Sequence, residues 1–210
     1  WNPACRLSFF HYDSATARPS AVWADEELVA FSSEESIELL PIYRSKPLVT
    51  WAEGRWSTSV SDGVPLVGVT MRASVEYAHW LSTHRYGGEF RFRLPSEVEW
   101  ERAARGADRR AFVWGDYPAW SFCRSKKGRI GDRLAVRGHA AFDESVFGVR
   151  DMAGSLSEFT SSVYFGRLSI VRGGSWETLD DRDFRIASRN RRYPYRNYTD
   201  MTVRLVAERK

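Results

Sequence analysis

Apolar and polar residues alternate along the chain in two registers. Across residues 73–84, Tyr77, Trp80 and Leu81 recur at helical spacing beside Val75 and Ala78, and Thr70 stands where an N-terminal cap belongs, so the spacing predicts a helix. A second helix is marked more sharply. Pro95 precedes Ser96, Glu99 follows three positions later in the reciprocal capping-box arrangement, Val98, Trp100, Ala103 and Ala104 continue the pattern, and Gly106 supplies the stop. Elsewhere the apolar positions form short β-like runs at 7–12, 38–43 and 47–51, broken by polar stretches such as 32–36. Further runs occur at 169–171, ahead of Gly173 and Gly174, and at 201–206, which reads as a closing strand. Past Gly106 no strong helical period returns, and turns and loops such as 114–120 and 123–131 fill the chain. Two helices, short twisted strands and long ordered loops predict an α+β fold. Long ordered loops are usually functional.

Length and composition narrow the picture. With 210 residues and 43% hydrophobic content the chain suits one substantial core. No repeat, low-complexity tract or linker divides it, and residues 1–64 are expected to pack onto the same domain as residues 65–210. No apolar run approaches the roughly 18 residues of a membrane span, and the first residues carry no basic-then-apolar signal segment. The expectation is a soluble protein whose location stays open, leaning to the cytoplasm. Because the chain opens on Trp1, it reads as a processed protein or a piece of a longer one. Cys5 and Cys123 lie far apart, in neither a CxxC pair nor a zinc spacing, and are expected to be structural. A net charge of +4 permits an acidic partner without demanding one. Nine tryptophans and 14% aromatic content promise either large buried areas or adhesive surfaces.

Four motifs follow in order: Arg93-Leu94-Pro95-Ser96-Glu97-Val98-Glu99-Trp100-Glu101 with Ala103-Ala104-Arg105-Gly106; Trp114-Gly115-Asp116; Phe147-Gly148-Val149-Arg150-Asp151-Met152-Ala153-Gly154; and Arg172-Gly173-Gly174-Ser175-Trp176. Together they closely resemble the formylglycine-generating, sulfatase-modifying enzyme family over residues 65–206, which implies its variant of the C-type lectin fold. Residues 1–64 match it poorly. Trp100 and Trp176 are expected to pack in the core. The oxidising members of that family hold copper between two cysteines that follow RGGSW, and soft thiolates suit Cu(I). Here no cysteine occurs after Trp176, and neither Cys5 nor Cys123 carries over as catalytic. The sulfoxide-synthase relatives place iron on a histidine triad. His11, His79, His84 and His139 show no ligand-like spacing and are expected to be solvated or hydrogen-bonded. Relatives also bind calcium through asparagine and carbonyl oxygens. Ser121 and Ser155 stand where those asparagines belong and Glu158 is retained, so these three are the calcium candidates. Asp180, Asp181 and Asp183 read as a solvated acidic turn. Ser175 lacks the strand-turn-helix setting of a nucleophile elbow, and neither a Walker loop nor a dinucleotide fingerprint occurs.

With catalysis weakened, the tail after Trp176 asks for another reading. Arg182, Arg185, Arg189, Arg191, Arg192 and Arg196 interleave with Phe184, Tyr193, Tyr195 and Tyr198, and arginine with tyrosine is a favoured binding composition. Arg185, Arg189 and Arg204 sit where relatives keep arginines and are expected to be salt-bridged framework. The same stretch resembles the variable region of diversity-generating retroelement proteins, with Arg189-Asn190 and Pro194 holding the expected places and Thr202 where those proteins have glycine. That resemblance implies ten contact positions: Glu177, Thr178, Leu179, Arg191, Arg192, Tyr193, Tyr195, Arg196, Tyr198 and Thr199. Basic residues among tyrosines also suit single-stranded nucleic acid, but the neighbouring Asp180, Asp181, Asp183 and Asp200 argue against a dedicated groove. The expectation is therefore a non-catalytic domain binding a protein or peptide, with an acidic ligand permitted and no resident cofactor beyond the calcium option. A metal-dependent oxidase or sulfoxide-synthase-like enzyme is the alternative, and a sensor module of a larger signalling protein the further one.

Overall fold

The computed structural model describes residues 65, 67–86, 88–128, 138, 140–196 and 198–210, together with the backbone of five earlier strands. Those strands are β1 (Phe10–Tyr12), β2 (Pro19–Ala24), β3 (Glu27–Ala30), β4 (Val49–Ala52) and β5 (Arg55–Thr58). They pair as an antiparallel sheet β1-β2-β3 and a hairpin β4-β5. The runs expected at 7–12 and 47–51 overlap β1 and β4. The run at 38–43, Cys5, His139 and residues 129–137 lie outside the described residues.

Helix α1 (Met71–Trp80) begins where the sequence places it, with the Thr70 hydroxyl accepting the Ala73 amide at 3.1 Å. It continues as a π-helical turn through Leu81–Arg85. Its buried face is made of small residues, Ala73, Ser74, Ala78 and Ser82, and the Ser82 hydroxyl accepts the Phe92 amide at 2.7 Å. Small side chains let the helix lie close to β6 (Phe90–Arg93). Val75 and Tyr77, expected on the apolar face, are exposed instead. Helix α2 (Glu97–Arg105) carries the complete capping box between Ser96 and Glu99, and Gly106 ends it at φ +76°. Trp100 and Ala104 face inward, while Val98 faces solvent.

The main sheet runs β10-β7-β8-β9, built from β7 (Ser157–Tyr164), β8 (Leu168–Arg172), β9 (Asn190–Arg192) and β10 (Met201–Val203). β10 lies parallel to β7, and the other neighbours are antiparallel. The single closing strand expected at 201–206 is in fact two. After β10 the Arg204 guanidinium turns back onto Glu158 of β7, and the chain then enters β11 (Val206–Arg209), which pairs with β6. Trp100, Phe112, Met152, Phe184 and Ile186 pack with Cys123 between α2 and the long loops, while Leu94, Phe159, Val171 and Met201 fill the space under the main sheet.

Arg172 closes β8 inside this core at 1% exposure, donating to the Glu101 carboxylate at 2.5 Å and the Ile186 carbonyl at 2.6 Å. Asp143, at 1% exposure, is a buried carboxyl of the same core. Its Oδ1 accepts the Met152 and Ala153 amides, each at 3.0 Å. Burial, reinforced by the Asp151 carboxylate and opposed by the two amides, pushes its pKa up to about 7. An unfolded aspartate titrates near ~4. The fold therefore holds this proton more tightly than the unfolded chain does. That contribution to stability is whole below about pH 4 and is lost as pH rises towards about 7. Asp143→Asn keeps an acceptor for both amides and removes the titration. Relative to wild type it should gain on the order of 3 kcal/mol between pH 4 and pH 7 in urea unfolding. A constant difference across that range would show an ordinary carboxyl.

Candidate recognition surface

β8 delivers the chain into the two glycines of the RGGSW segment, and each glycine has its own reason. Gly173 has φ +73°, and a Cβ there would lie 3.0 Å from the Met152 carbonyl; at Gly174 a Cβ would lie 2.4 Å from the Phe184 ring. The strand end thus docks directly on Phe184. Trp176 then packs on Val67 and Leu156 with its amide on the Ser155 carbonyl at 2.8 Å, so both Trp100 and Trp176 are core residues, as expected.

Beyond Trp176 the ten expected contact positions fall into two groups. In the first, Glu177 and Leu179 are exposed, and Thr178 accepts the Ser175 amide at 2.9 Å. The Ser175 hydroxyl donates to Asp200 at 3.0 Å, which ties this group to the segment carrying Thr199. The acidic turn expected at Asp180–Asp183 is a 3-10 turn capped by Asp180. Its carboxylates are locally engaged, Asp180 with Arg182 and Asp181 with Lys127. Arg189 pairs with Glu97 and Arg204 with Glu158, the expected framework role. Arg185 corrects that expectation: it follows the 3-10 turn as its C-terminal cap, is exposed, and meets no carboxylate among the described residues.

The second group lies on and after β9. The Arg191 guanidinium sits 3.7 Å from the centre of the Tyr164 ring, Arg192 lies 5.7 Å from that of Tyr198, and Arg196 lies 4.9 Å from that of Tyr193. The rings of Tyr193 and Tyr195 are 5.6 Å apart. Backbone ties hold the loop in place. The Tyr193 amide donates to the Tyr198 hydroxyl at 3.1 Å, Pro194 accepts the Met71 amide at 2.9 Å, and Tyr198 accepts the Gly68 amide at 3.1 Å. A guanidinium over a tyrosine ring keeps its N–H donors at its edge, and Arg192 spends one of them on the Arg191 carbonyl at 3.1 Å. Three neighbours escaped the sequence reading: Val163, Tyr164 and Phe165 at the β7–β8 turn, with Phe165 at 85% exposure and its ring 4.4 Å from that of Tyr164. The signal for them was the Tyr164-Phe165-Gly166 step, two aromatics and a turn residue just ahead of the run at 169–171.

The calcium candidates stand on separate segments, and two of them already accept hydrogen bonds. Ser121 is exposed on the 3-10 turn Trp120–Phe122, and the Ser155 carbonyl is taken by the Trp176 amide. Both Glu158 oxygens are engaged by Arg204, and Oε2 also accepts the Trp100 indole N–H at 2.7 Å. Among the described residues no three His, Cys, Asp or Glu side chains gather as a metal group. Copper chemistry of the family's kind lacks its donors, since residues 177–210 contain no cysteine. Cys123 is fully buried, and desolvation together with nearby Asp143 pushes its thiol up to about 12, which suppresses the reactive thiolate. His79 and His84 are exposed, and His84 shares a hydrogen bond with Thr83 at 2.6 Å.

The model of the sulfatase-modifying factor enzyme 1-like domain matches residues 35–209, starting well before the first motif-bearing segment. The serine/threonine-protein kinase Pkn1 of Chlamydia trachomatis serovar L2 is 30% identical over 151 residues, 62% of this chain and 22% of that protein. The formylglycine-generating enzyme of Mycobacterium tuberculosis is 29% identical over 113 residues, 49% of this chain and 35% of that enzyme. The chain thus spans only a minor part of the length of these curated relatives. Treponema denticola variable protein 1 superposes with a TM-score of 0.59 at 17% identity, covering 77% of this chain and 75% of that one, a likeness of fold. Among the described residues no helix is long and apolar enough to cross a membrane.

Proposed function

Because the chain belongs to the sulfatase-modifying factor enzyme 1-like domain family yet carries no cysteine after Trp176, we propose that it is a non-catalytic recognition domain for a protein or peptide ligand. The observation that carries this reading is the replacement of thiols in that region by the arginine–tyrosine layer of Arg191, Arg192, Tyr193, Tyr195, Arg196 and Tyr198. Glu177, Thr178, Leu179 and Thr199 complete the surface across the Ser175–Asp200 hydrogen bond. Tyrosines supply contact area and arginines charge-assisted hydrogen bonds. The shared fold of a variable protein supports reading the tail as a displayed and diversified surface. Sequencing the locus in sister isolates should find these codons differing beside an adenine-biased repeat.

The binding test is an array of random dodecapeptides probed with wild type and with Tyr193→Ala/Tyr195→Ala. The wild type should capture a subset that the variant loses by more than about tenfold. Conversion of a cysteine-containing sulfatase peptide to formylglycine, or stoichiometric copper or iron in the purified protein, would overturn the non-catalytic reading. A second reading is favoured by the similarity to the kinase Pkn1, of which the matched stretch is a minor part. In it the same surface is the sensing face of a longer signalling protein. A kinase domain in the same reading frame as Trp1 is the result that reading expects.

A further inference from the structure

We propose that the free edge of β9 receives an extended acidic segment of a partner protein, added as a further strand between the guanidiniums of Arg191 and Arg192. This rests on the recognition reading above and names what that surface takes.

The sheet order leaves β9 at the edge, and no described strand lies outside it. Its register sets Arg191 opposite Ile170 and Arg192 opposite Ser169, so the two arginines point to opposite faces of the sheet. Tyr164 pairs with Leu168 and therefore shares a face with Ile170 and Arg191, and its ring carries the Arg191 guanidinium. Tyr198, which packs beside Phe159, carries Arg192 on the other face. The edge is thus flanked on both sides by a cation held over an aromatic ring. A strand added there sends successive side chains to the same two faces, which is how strand addition couples main-chain hydrogen bonds to side-chain recognition.

Charge selects the occupant. Arg150, Arg172, Arg182, Arg189 and Arg204 each face a carboxylate. Arg191, Arg192 and the turn residue Arg167 face none among the described residues. Two adjacent arginines repel a second copy of the same edge, so they protect β9 from self-pairing while attracting an acidic strand. Exposed Phe165 beside them adds apolar contact area.

The probe is a fluorescent blocked heptapeptide, Thr-Glu-Glu-Val-Glu-Glu-Thr, followed by anisotropy. We expect saturable binding that weakens with salt, falls about tenfold or more in Arg191→Gln/Arg192→Gln, and is unchanged in Arg182→Gln. Circular dichroism should show both variants folded. Methylating alternate backbone nitrogens of the peptide keeps its charge and should abolish binding, and whichever of the Arg191 and Arg192 amides faces away from β8 should gain exchange protection only with the unmethylated peptide. Equal binding of the methylated peptide, no binding of either, or tighter binding of a single-stranded oligonucleotide overturns the proposal. If the heptapeptide fails while Tyr193→Ala/Tyr195→Ala still loses array-captured peptides, strand addition is wrong and recognition stands. If neither occurs, both fall.

Discussion

Replacing Glu158 by leucine should lower the unfolding free energy by about 3–5 kcal/mol and the melting temperature by on the order of 10 °C. Glu158 lies in β7, between β8 and β10, at 4% exposure. Its carboxylate accepts the Arg204 guanidinium through both oxygens and the Trp100 indole through one, while the same guanidinium reaches the Arg150 carbonyl at 2.9 Å. One side chain thus joins the sheet, α2 and the crossing from β10 to β11. Removing it leaves a largely enclosed cation and a buried indole N–H without their acceptor, and the loss comes from those orphaned donors rather than from the pair's own net worth. Glu158→Gln keeps one acceptor and should lose less. Glu158→Leu/Arg204→Met should recover a substantial part, because both charges are then gone. A loss below about 1 kcal/mol for the leucine variant in urea titration would mean that the ion pair is solvated. Chelator should leave the wild-type melting temperature in place, which separates this ion-pair role from calcium ligation.

Local signals carried most of what the sequence revealed. The capping box at Ser96–Glu99, the Thr70 cap and the RGGSW turn depend on residues a few positions apart, and all three stand as read. β7 was hidden because its centre is Thr160-Ser161-Ser162. Thr160 is buried, and its hydroxyl donates to the Ile170 carbonyl at 2.7 Å, so a polar residue occupies a core position. The split of the closing strand was illegible for a related reason, since it follows from Arg204 finding a partner 46 residues earlier. Arg172, the first residue of RGGSW, is buried because Glu101 reaches it from α2, a pairing across 71 residues. At the candidate surface the arginines and tyrosines were visible as composition. Their division into two groups, and the arrival of Tyr164 beneath Arg191, required the register of three strands.

Gly174→Ala should also destabilise the fold, by less than the loss of Glu158 and for a steric reason that involves no charge. A methyl there would stand 2.4 Å and 2.5 Å from two carbons of the Phe184 ring. Phe184 is 1% exposed and packed in the cluster with Trp100, Met152 and Ile186, so it has no void to retreat into. Overpacking of this kind costs about 1–3 kcal/mol, and here the displaced ring also holds the 3-10 turn Asp181–Phe184 that leads the chain towards β9. Gly173→Ala meets a different penalty, a left-handed φ of +73° together with a 3.0 Å approach to the Met152 carbonyl. The two variants should separate in their rescue. Phe184→Leu removes the obstructing ring edge and should restore part of the stability of Gly174→Ala, while leaving Gly173→Ala unimproved, because backbone strain does not depend on the size of residue 184. Melting curves of the single and double variants read this directly, and equal rescue of both would place the clash somewhere other than the ring. Since the ring, the turn and β9 follow one another along the chain, Gly174→Ala should also lose peptide capture at temperatures below its own melting transition. That result would tie the family's RGGSW signature to the aim of the surface behind it as well as to the packing of the core.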